Sequence, residues 1–118
     1  LLGHVSDQDL WRLMRGATAV IVPSTAEGFG FPVAEAMAVG AVLIHSDIPV
    51  FRATTQGQAL AFSVDSPVEL KAHMEQVSRN PALRLALRKR NRDQAQAMTW
   101  DDAVTKTLAM YKRWATSS

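Results

Sequence analysis

Two short apolar runs with one helical stretch between them restrict the fold of this chain more than any other feature of its sequence. Thr18 to Val22 and Ala41 to His45 have the length and the apolar continuity typical of strands covered on both faces in a parallel sheet. Pro32 to Gly40 is predicted to be a helix, because proline fits a first helical turn and glycine favours a helix end. Parallel strands joined by a helix need a right-handed crossover. The sequence therefore predicts an α/β fold, a Rossmann-like parallel sheet with flanking helices.

The segments on either side extend this alternation. Ser6 followed by an acidic residue three positions later is a helix start signal, and it predicts a helix over Asp7 to Arg15. After the second apolar run, a short helical turn is expected near Phe51 to Thr54 and a short strand over Leu60 to Ser63. Helix and strand thus alternate along the first half of the chain.

The second half is predicted to be a helical segment. Ser66-Pro67-Val68-Glu69 has the pattern of a capping box with proline in the first turn, and further helices are expected after Asn80 and Thr99. Trp11, Trp100 and Trp114 fall on apolar helical stripes, so they are interpreted as core or domain-interface residues. We expect residues 1–118 to form a single truncated domain in which 66–118 is the helical part.

Composition excludes several classes of protein. The 118 residues include no cysteine, which removes disulfides, thiolate nucleophiles and thiolate metal sites. No apolar run approaches the roughly 20 residues that span a bilayer, and no signal peptide pattern is present. These observations predict a cytoplasmic protein. Because the chain begins at Leu1 in an apolar, strand-like run, we also expect it to be part of a longer protein.

The loop before Pro32 has the composition of a phosphate site. In open α/β sheets, ligands bind beyond the carboxyl ends of the strands. Gly28 and Gly30 leave backbone N–H groups unobstructed there, and the amino end of the following helix adds partial positive charge. The pattern favours a bound phosphate group.

Two glutamates border the same predicted crevice. Glu27 lies in the loop, and Glu35 lies about one turn inside the helix. Carboxylates repel phosphate but accept paired hydrogen bonds from vicinal hydroxyls. A ligand with a diphosphate at its middle and a sugar at each end satisfies both features, so we predict that a nucleotide-sugar binds.

The residues from Pro23 to Gly40 resemble the E-x7-E signature of the group 1 retaining glycosyltransferases, whose GT-B fold has two Rossmann-like domains. Gly3 to Asp7 and Asp47 to Pro49 resemble junctions of that family, and a weaker resemblance extends to Thr99-Trp100. The resemblance implies the C-terminal, donor-binding half of an enzyme that moves a sugar from a nucleoside diphosphate to an acceptor hydroxyl with retention. It also implies a missing N-terminal acceptor-binding domain, no cofactor and no obligatory metal.

The resemblance assigns roles residue by residue. Glu27 would lie beside the donor sugar as the catalytic-site residue, and Glu35 would bind the ribose hydroxyls. The backbone of Phe29 and Gly30 would meet the sugar hydroxyls or the diphosphate. The other expected substrate-binding residues, from the strand end, the loop and the helix start, are Ser24, Thr25, Gly28, Phe31, Pro32 and Val33. One departure concerns Arg52, since glutamate commonly follows this arginine in the family whereas Ala53 follows it here.

The histidines are interpreted as mainly structural. His4 and His45 stand at predicted strand ends, and His4 is close enough to the crevice to be a candidate contact with the nucleotide base. His73 is expected on a helix surface.

A stripe of arginines at every fourth position, Arg84, Arg88 and Arg92, is interpreted as a solvated helix face. The alternative is attraction to anionic lipid headgroups, which would give peripheral contact with the inner face of a membrane. Nucleic acid binding is not expected, because no recognised motif accompanies the charge.

Two other functions remain open. Gly28-x-Gly30 before a helix, with Asp47 about 20 residues later, also resembles the dinucleotide fingerprint of oxidoreductases. Five residues nevertheless separate Val22 from Gly28, and Val33 stands where that fingerprint asks for glycine or alanine. The second alternative is a non-catalytic module that binds a nucleotide-sugar. We expect residues 1–118 alone to bind without turnover, because the resemblance implies that the cationic diphosphate ligands and the acceptor-binding domain lie upstream of Leu1.

Overall fold

The computed structural model describes residues 6–25 and 31–97 of the chain, which form a parallel sheet with helices on both faces. Within these residues the three strands pair in the order β1-β2-β3, with Val20 opposite Leu43 and Ile44 opposite Leu60. The predicted α/β fold is confirmed. The elements are α1 Asp7–Gly16, β1 Val20–Val22, α2 Phe31–Ala38, β2 Leu43–Ser46, α3 Pro49–Thr55, β3 Leu60–Phe62, α4 Pro67–Arg79 and α5 Pro81–Ala97.

Local signals predicted each of these elements, and the ends of α1 to β3 differ from the predicted ones by at most two residues. Helices α4 and α5 begin where the signals at Ser66 and Asn80 predicted. The helix expected after Thr99 lies outside the described residues, as do Trp100 and Trp114. The boundaries of the single domain stay a prediction. None of the helices in the described ranges is both long enough and apolar enough to cross a membrane.

The sheet separates two apolar clusters. Leu43 packs with Met37 of α2 and Phe51 of α3 on one face. Its neighbours Val42 and Ile44 face the other side, where Val77 of α4 and Leu87 of α5 cover them, because successive side chains of a strand alternate. Val42 and the β2 residues Leu43 and Ile44 are fully buried, which explains why this stretch has no polar alternation in its sequence.

Helix α2 ends in a Schellman motif that requires Gly40. The Gly40 N–H donates to the Met37 carbonyl, and the Ala41 N–H donates to the Ala36 carbonyl, both at 3.0 Å. Gly40 has φ of +72°, a conformation that glycine adopts without steric cost. A Cβ atom at this position would also come within 2.9 Å of the Arg92 side chain. The residue therefore fixes where α2 stops and where the chain turns towards β2.

The arginine stripe of α5 does not face solvent throughout, so its interpretation as a solvated face is wrong for two of its members. Arg88 donates from Nη1 to the carbonyls of Arg15 and Gly40, at 2.9 and 3.2 Å, and from Nη2 to the Ala17 carbonyl at 3.0 Å. Arg84 donates to the Val77 carbonyl at 2.6 Å. These carbonyls lie at the ends of α1, α2 and α4, where unpaired C=O groups and the negative end of the helix dipole favour a cation.

Two further expectations are corrected and one is narrowed. Trp11 is 46% exposed, so it is not a core residue of the described part of the chain, and its interpretation as a domain-interface residue stays a prediction. The Ser66 hydroxyl accepts from the Glu69 N–H as predicted, but Glu69 accepts from the Ser63 N–H, at 2.6 Å, instead of closing the capping box on Ser66. His73 is not a purely surface residue, because its Nε2 lies 2.9 Å from the carbonyl oxygen of Ala61 in β3.

Arg88→Met tests the arginine contacts. The variant keeps an apolar stem but leaves three main-chain carbonyls without their charged donor, so we expect the free energy of unfolding to fall by about 2 kcal/mol. Urea denaturation measures the loss. Arg90→Met is the matched control, because Arg90 is exposed on the same helix. Equal stability of the two variants would contradict this account of Arg88.

Candidate functional site

The candidate site lies at the edge of the sheet where the strands end. Strand β1 ends at Val22, and Ser24 and Thr25 follow it. Helix α2 returns antiparallel to the strands, so its amino end lies at this same edge. Ser24 is half-buried and Thr25 is exposed. Both therefore lie where ligands bind in open α/β sheets.

Helix α2 presents one face to the core and another away from it. Val33 is fully buried with Ala36 and Met37, whereas Pro32 is half-buried and Glu35 is exposed. The Val33 side chain belongs to the core, so any ligand contact from this residue is limited to its backbone. Glu35 is free of the core packing and lies in the second turn of α2, whose amino end lies at the carboxyl edge of the sheet.

Five of the predicted site residues lie outside the described residues: His4, Glu27, Gly28, Phe29 and Gly30. Their roles stay predictions. Phe31 begins α2, as expected of a residue that opens the helix.

A buried polar group at the end of β2 was not predicted from the sequence. Ser46 is fully buried, and its Oγ donates towards the carbonyls of Val22, at 3.3 Å, and Ser24. The Asp47 N–H donates to the Phe62 carbonyl at 2.7 Å. The end of β2 is thereby tied to both neighbouring strands. The sequence signal was available, since a serine that ends an otherwise buried strand must satisfy its hydroxyl within the protein.

His45 supports Ser46 from inside the sheet. Its side chain is 1% exposed, and its Nδ1 lies 2.9 Å from the Ser46 carbonyl oxygen. Because a carbonyl only accepts, Nδ1 carries the proton, and Nε2 accepts from the Thr55 hydroxyl at 3.3 Å. The Phe51 ring meets the imidazole edge to face, with centroids 5.7 Å apart. These contacts agree with the structural interpretation of this histidine.

Burial lowers the pKa of His45 below its ordinary value of 6.5, and the hydrogen bond to the Ser46 carbonyl and the negative charge of Asp47 only partly oppose this effect. Removing the ring from water disfavours its charged form. Folding therefore favours the neutral form of the His45 imidazole.

An exposed ion pair stands beside this network. The Nε of Arg52 lies 2.9 Å from Oδ1 of Asp47, and both side chains are about half exposed. Asp47 lies between β2 and α3 and provides a carboxylate partner for Arg52. Arg52 therefore needs no glutamate at position 53 to form an ion pair. Within residues 6–25 and 31–97, no three His, Asp or Glu side chains are grouped so that they could hold a metal ion.

An α/β sheet of this kind, with polar side chains at its carboxyl edge, belongs to the class of open parallel sheets that bind ligands at that edge. The family comparison is more specific: residues 1–94 match the family Glycosyl transferases group 1. Since the match covers most of the chain, the chain belongs to this family.

Individual relatives agree with this family. The chain is 30% identical to O-antigen chain mannosyltransferase B of Escherichia coli over 111 residues, which are 94% of this chain and 29% of that protein. It is 30% identical to the D-inositol 3-phosphate glycosyltransferase of Nocardioides sp. over 92% of this chain and 24% of that protein. It is 36% identical to O-antigen chain mannosyltransferase RfbU of Salmonella typhimurium over 68% of this chain and 23% of that protein. The chain thus spans less than a third of the length of these relatives.

The lowered pKa of His45 predicts acid destabilisation with a definite sign. Below about pH 6.5 the unfolded chain binds a proton that the folded chain binds only at lower pH, so the free energy of unfolding falls as the pH falls. Above that value the effect is absent. Urea denaturation between pH 7.5 and 5 should show a shallower decline for His45→Gln than for the unmodified protein.

Val77→Ala is the control for this measurement, because it opens a cavity on the other face of the sheet and leaves the histidine unchanged. We expect it to lower stability at every pH without changing the steepness. An equally steep decline in the His45→Gln variant would show that another group is responsible.

Proposed function

We propose that this chain is the donor-binding part of a retaining glycosyltransferase of the GT-B type, and that it binds a nucleoside-diphosphate sugar. The observation that carries the proposal is the family match over residues 1–94. The position of α2 supports it, since the helix places its amino end at the carboxyl edge of the sheet and exposes Glu35.

The parts of the ligand are matched to the parts of the site by charge. A diphosphate is stabilised by a helix amino end, which carries about half a positive charge. Glu35, further along the exposed side of α2, is suited to accept hydrogen bonds from the ribose hydroxyls. Glu27 is proposed beside the donor sugar and Ser24 and Thr25 at the pocket wall, and His4 remains a candidate contact with the base.

In the proposed reaction, the bond between the anomeric carbon of the sugar and the diphosphate oxygen breaks. The oxygen of an acceptor hydroxyl forms a bond to that carbon on the face from which the diphosphate departs. The hydroxyl proton passes to the departing diphosphate oxygen, and the nucleoside diphosphate leaves. The names of two relatives, both mannosyltransferases, favour a hexose such as mannose. No step of this proposal uses a resident metal or cofactor.

The acceptor-binding domain is proposed to lie in another part of a longer protein, as the length of the relatives suggests. In that arrangement residues 1–118 are its C-terminal donor domain, and they do not catalyse transfer alone. We propose a cytoplasmic location. Arg84 and Arg88 donate to main-chain carbonyls, which leaves the arginine stripe a weaker basis for contact with a membrane than its sequence suggested.

The dinucleotide alternative is less well supported. The match to a glycosyltransferase family argues against it, and the Asp47 carboxylate that would accept the ribose hydroxyl is ion-paired with Arg52. Calorimetric titration separates the two functions, because tighter binding of NAD than of GDP-mannose, UDP-glucose, GDP or UDP would remove the transferase proposal.

Glutamine substitutions in the full-length protein that carries these residues test the two glutamates. Glu35→Gln removes a charged acceptor, so we expect the affinity for the free nucleotide, GDP or UDP, to fall about tenfold or more. Glu27→Gln should leave the affinity for the free nucleotide within about twofold, since Glu27 is proposed beside the donor sugar, which a free nucleotide lacks, and should reduce discrimination between GDP-mannose and GDP-glucose or their UDP counterparts. Isothermal titration calorimetry measures both effects.

Glu75→Gln is the matched control. Glu75 is a helix-surface glutamate on α4, with an ion-pair contact of 3.9 Å to Lys71, and α4 covers the sheet face opposite α2. We expect its substitution to change neither affinity. If all three variants bind alike, the assignment of the two glutamates is wrong.

A further inference from the structure

The Ser46 hydroxyl joins a residue beyond the sheet ladder to the sheet. The last paired residues of β1 and β2 are Val22 and His45, so the ladder does not include Ser24. The hydroxyl of Ser46 donates to the Ser24 carbonyl and lies 3.3 Å from the Val22 carbonyl. A fully buried side chain of β2 therefore holds the chain where it leaves β1.

Ser46 is itself held from two other elements. Its carbonyl accepts from Nδ1 of His45, whose Nε2 in turn contacts the Thr55 hydroxyl of α3. The next residue, Asp47, donates its N–H to Phe62 of β3. Buried polar groups whose hydrogen bonds are all formed rigidify their surroundings. Ser46 is therefore fixed within the sheet, and its hydroxyl holds Ser24 in place.

We propose that Ser46 is a positioning residue of the donor site, whose hydroxyl fixes the Ser24 carbonyl and so sets the direction in which the chain leaves β1 towards Glu27. The inference rests on the proposed function. The residue touches no ligand in this account, and it acts through the placement of Ser24 and Thr25 alone.

The placement of this strand end has consequences for binding, because Ser24 and Thr25 are proposed at the wall of the donor pocket. Ser46 holds Ser24 in place, and Val33 and Ala36 fix α2 in the core. A ligand that contacts residues already held in place requires less ordering on binding, and loss of such preorganisation lowers affinity without removing any ligand contact. A misplacement of about 1 Å can change rates by about a hundredfold.

A role in stability alone is the competing explanation, and selectivity among ligands distinguishes the two. Ser46 acts on the strand end that leads to Glu27, which is proposed beside the donor sugar, whereas Glu35 is proposed to bind the ribose from α2. A positioning role therefore affects the sugar half of the ligand more than the nucleotide half. A general loss of stability affects both halves alike.

The experiment measures the affinities of the full-length protein for GDP-mannose, UDP-glucose, GDP and UDP by calorimetry, with Ser46→Ala, Ser46→Thr and Val77→Ala variants. For the donor that the unmodified protein binds, we expect Ser46→Ala to weaken binding of the nucleotide-sugar about three- to tenfold, in line with loss of one hydrogen bond, and to change free nucleotide affinity less than twofold. Ser46→Thr, which restores the hydroxyl, should recover at least part of the loss. Val77→Ala lowers stability on the far face of the sheet and should leave the ratio of the two affinities unchanged.

The outcomes separate this inference from the function on which it rests. If the unmodified protein binds a nucleotide-sugar and Ser46→Ala binds it equally well, the positioning role is wrong and the proposed function stands. Equal losses for nucleotide-sugar and free nucleotide, also seen with Val77→Ala, would reduce Ser46 to a stability role. If the unmodified protein binds none of the four probes, both proposals fall.

Discussion

The contact between the Arg88 guanidinium and the helix ends underlies the arrangement of the whole fold. In a parallel sheet, the helices that connect the strands all run in the same direction, so their carboxyl ends gather at one edge. That edge collects unpaired carbonyls and the negative ends of several helix dipoles. Helix α5 crosses there and supplies cations, with Arg88 bound to carbonyls beyond α1 and α2 and Arg84 bound to the end of α4. Arginine side chains of α5 therefore donate hydrogen bonds to main-chain carbonyls at the edge of the sheet where the strands begin.

The opposite edge is organised differently, and α2 connects the two. Its carboxyl end is fixed by Gly40 in a Schellman motif, and its buried face by Val33, Ala36 and Met37. Since a helix is rigid over two turns, fixing one end and one face also fixes its amino end at the carboxyl edge. The contacts that fix α2 at the amino edge of the sheet thus also determine where its amino end lies at the carboxyl edge.

The sequence predicted the elements well because their signals are local. Ser6 and Ser66 cap helices through hydroxyls that accept from the N–H three residues later, and the buried strand β2 shows its environment in its own composition. The contacts that organise the edges are not local. An arginine at every fourth position looks the same whether it meets water or carbonyls distant in sequence, as Arg88 does with Arg15. Ser46 likewise finds its partner 22 residues away at Ser24, and no spacing rule predicts that distance. Of the candidate site, the sequence predicted a strand end and a helix start that the structure brings to one edge of the sheet, and the structure added the buried side chains behind them.

The charges at the carboxyl edge set a requirement on the rest of the protein. A diphosphate carries at least two negative charges, whereas one helix amino end supplies about half a positive charge. Within the described residues, Arg52 is a cation at this edge, and Asp47 already neutralises it, while Glu35 adds negative charge on α2. A nucleoside diphosphate that binds here needs positive charge from residues beyond the described ranges. The relatives, of which this chain spans less than a third, have ample length to provide such a facing surface. This electrostatic deficit is consistent with the proposal that the chain is the donor-binding part of a longer enzyme, in which cations outside the described ranges meet the diphosphate.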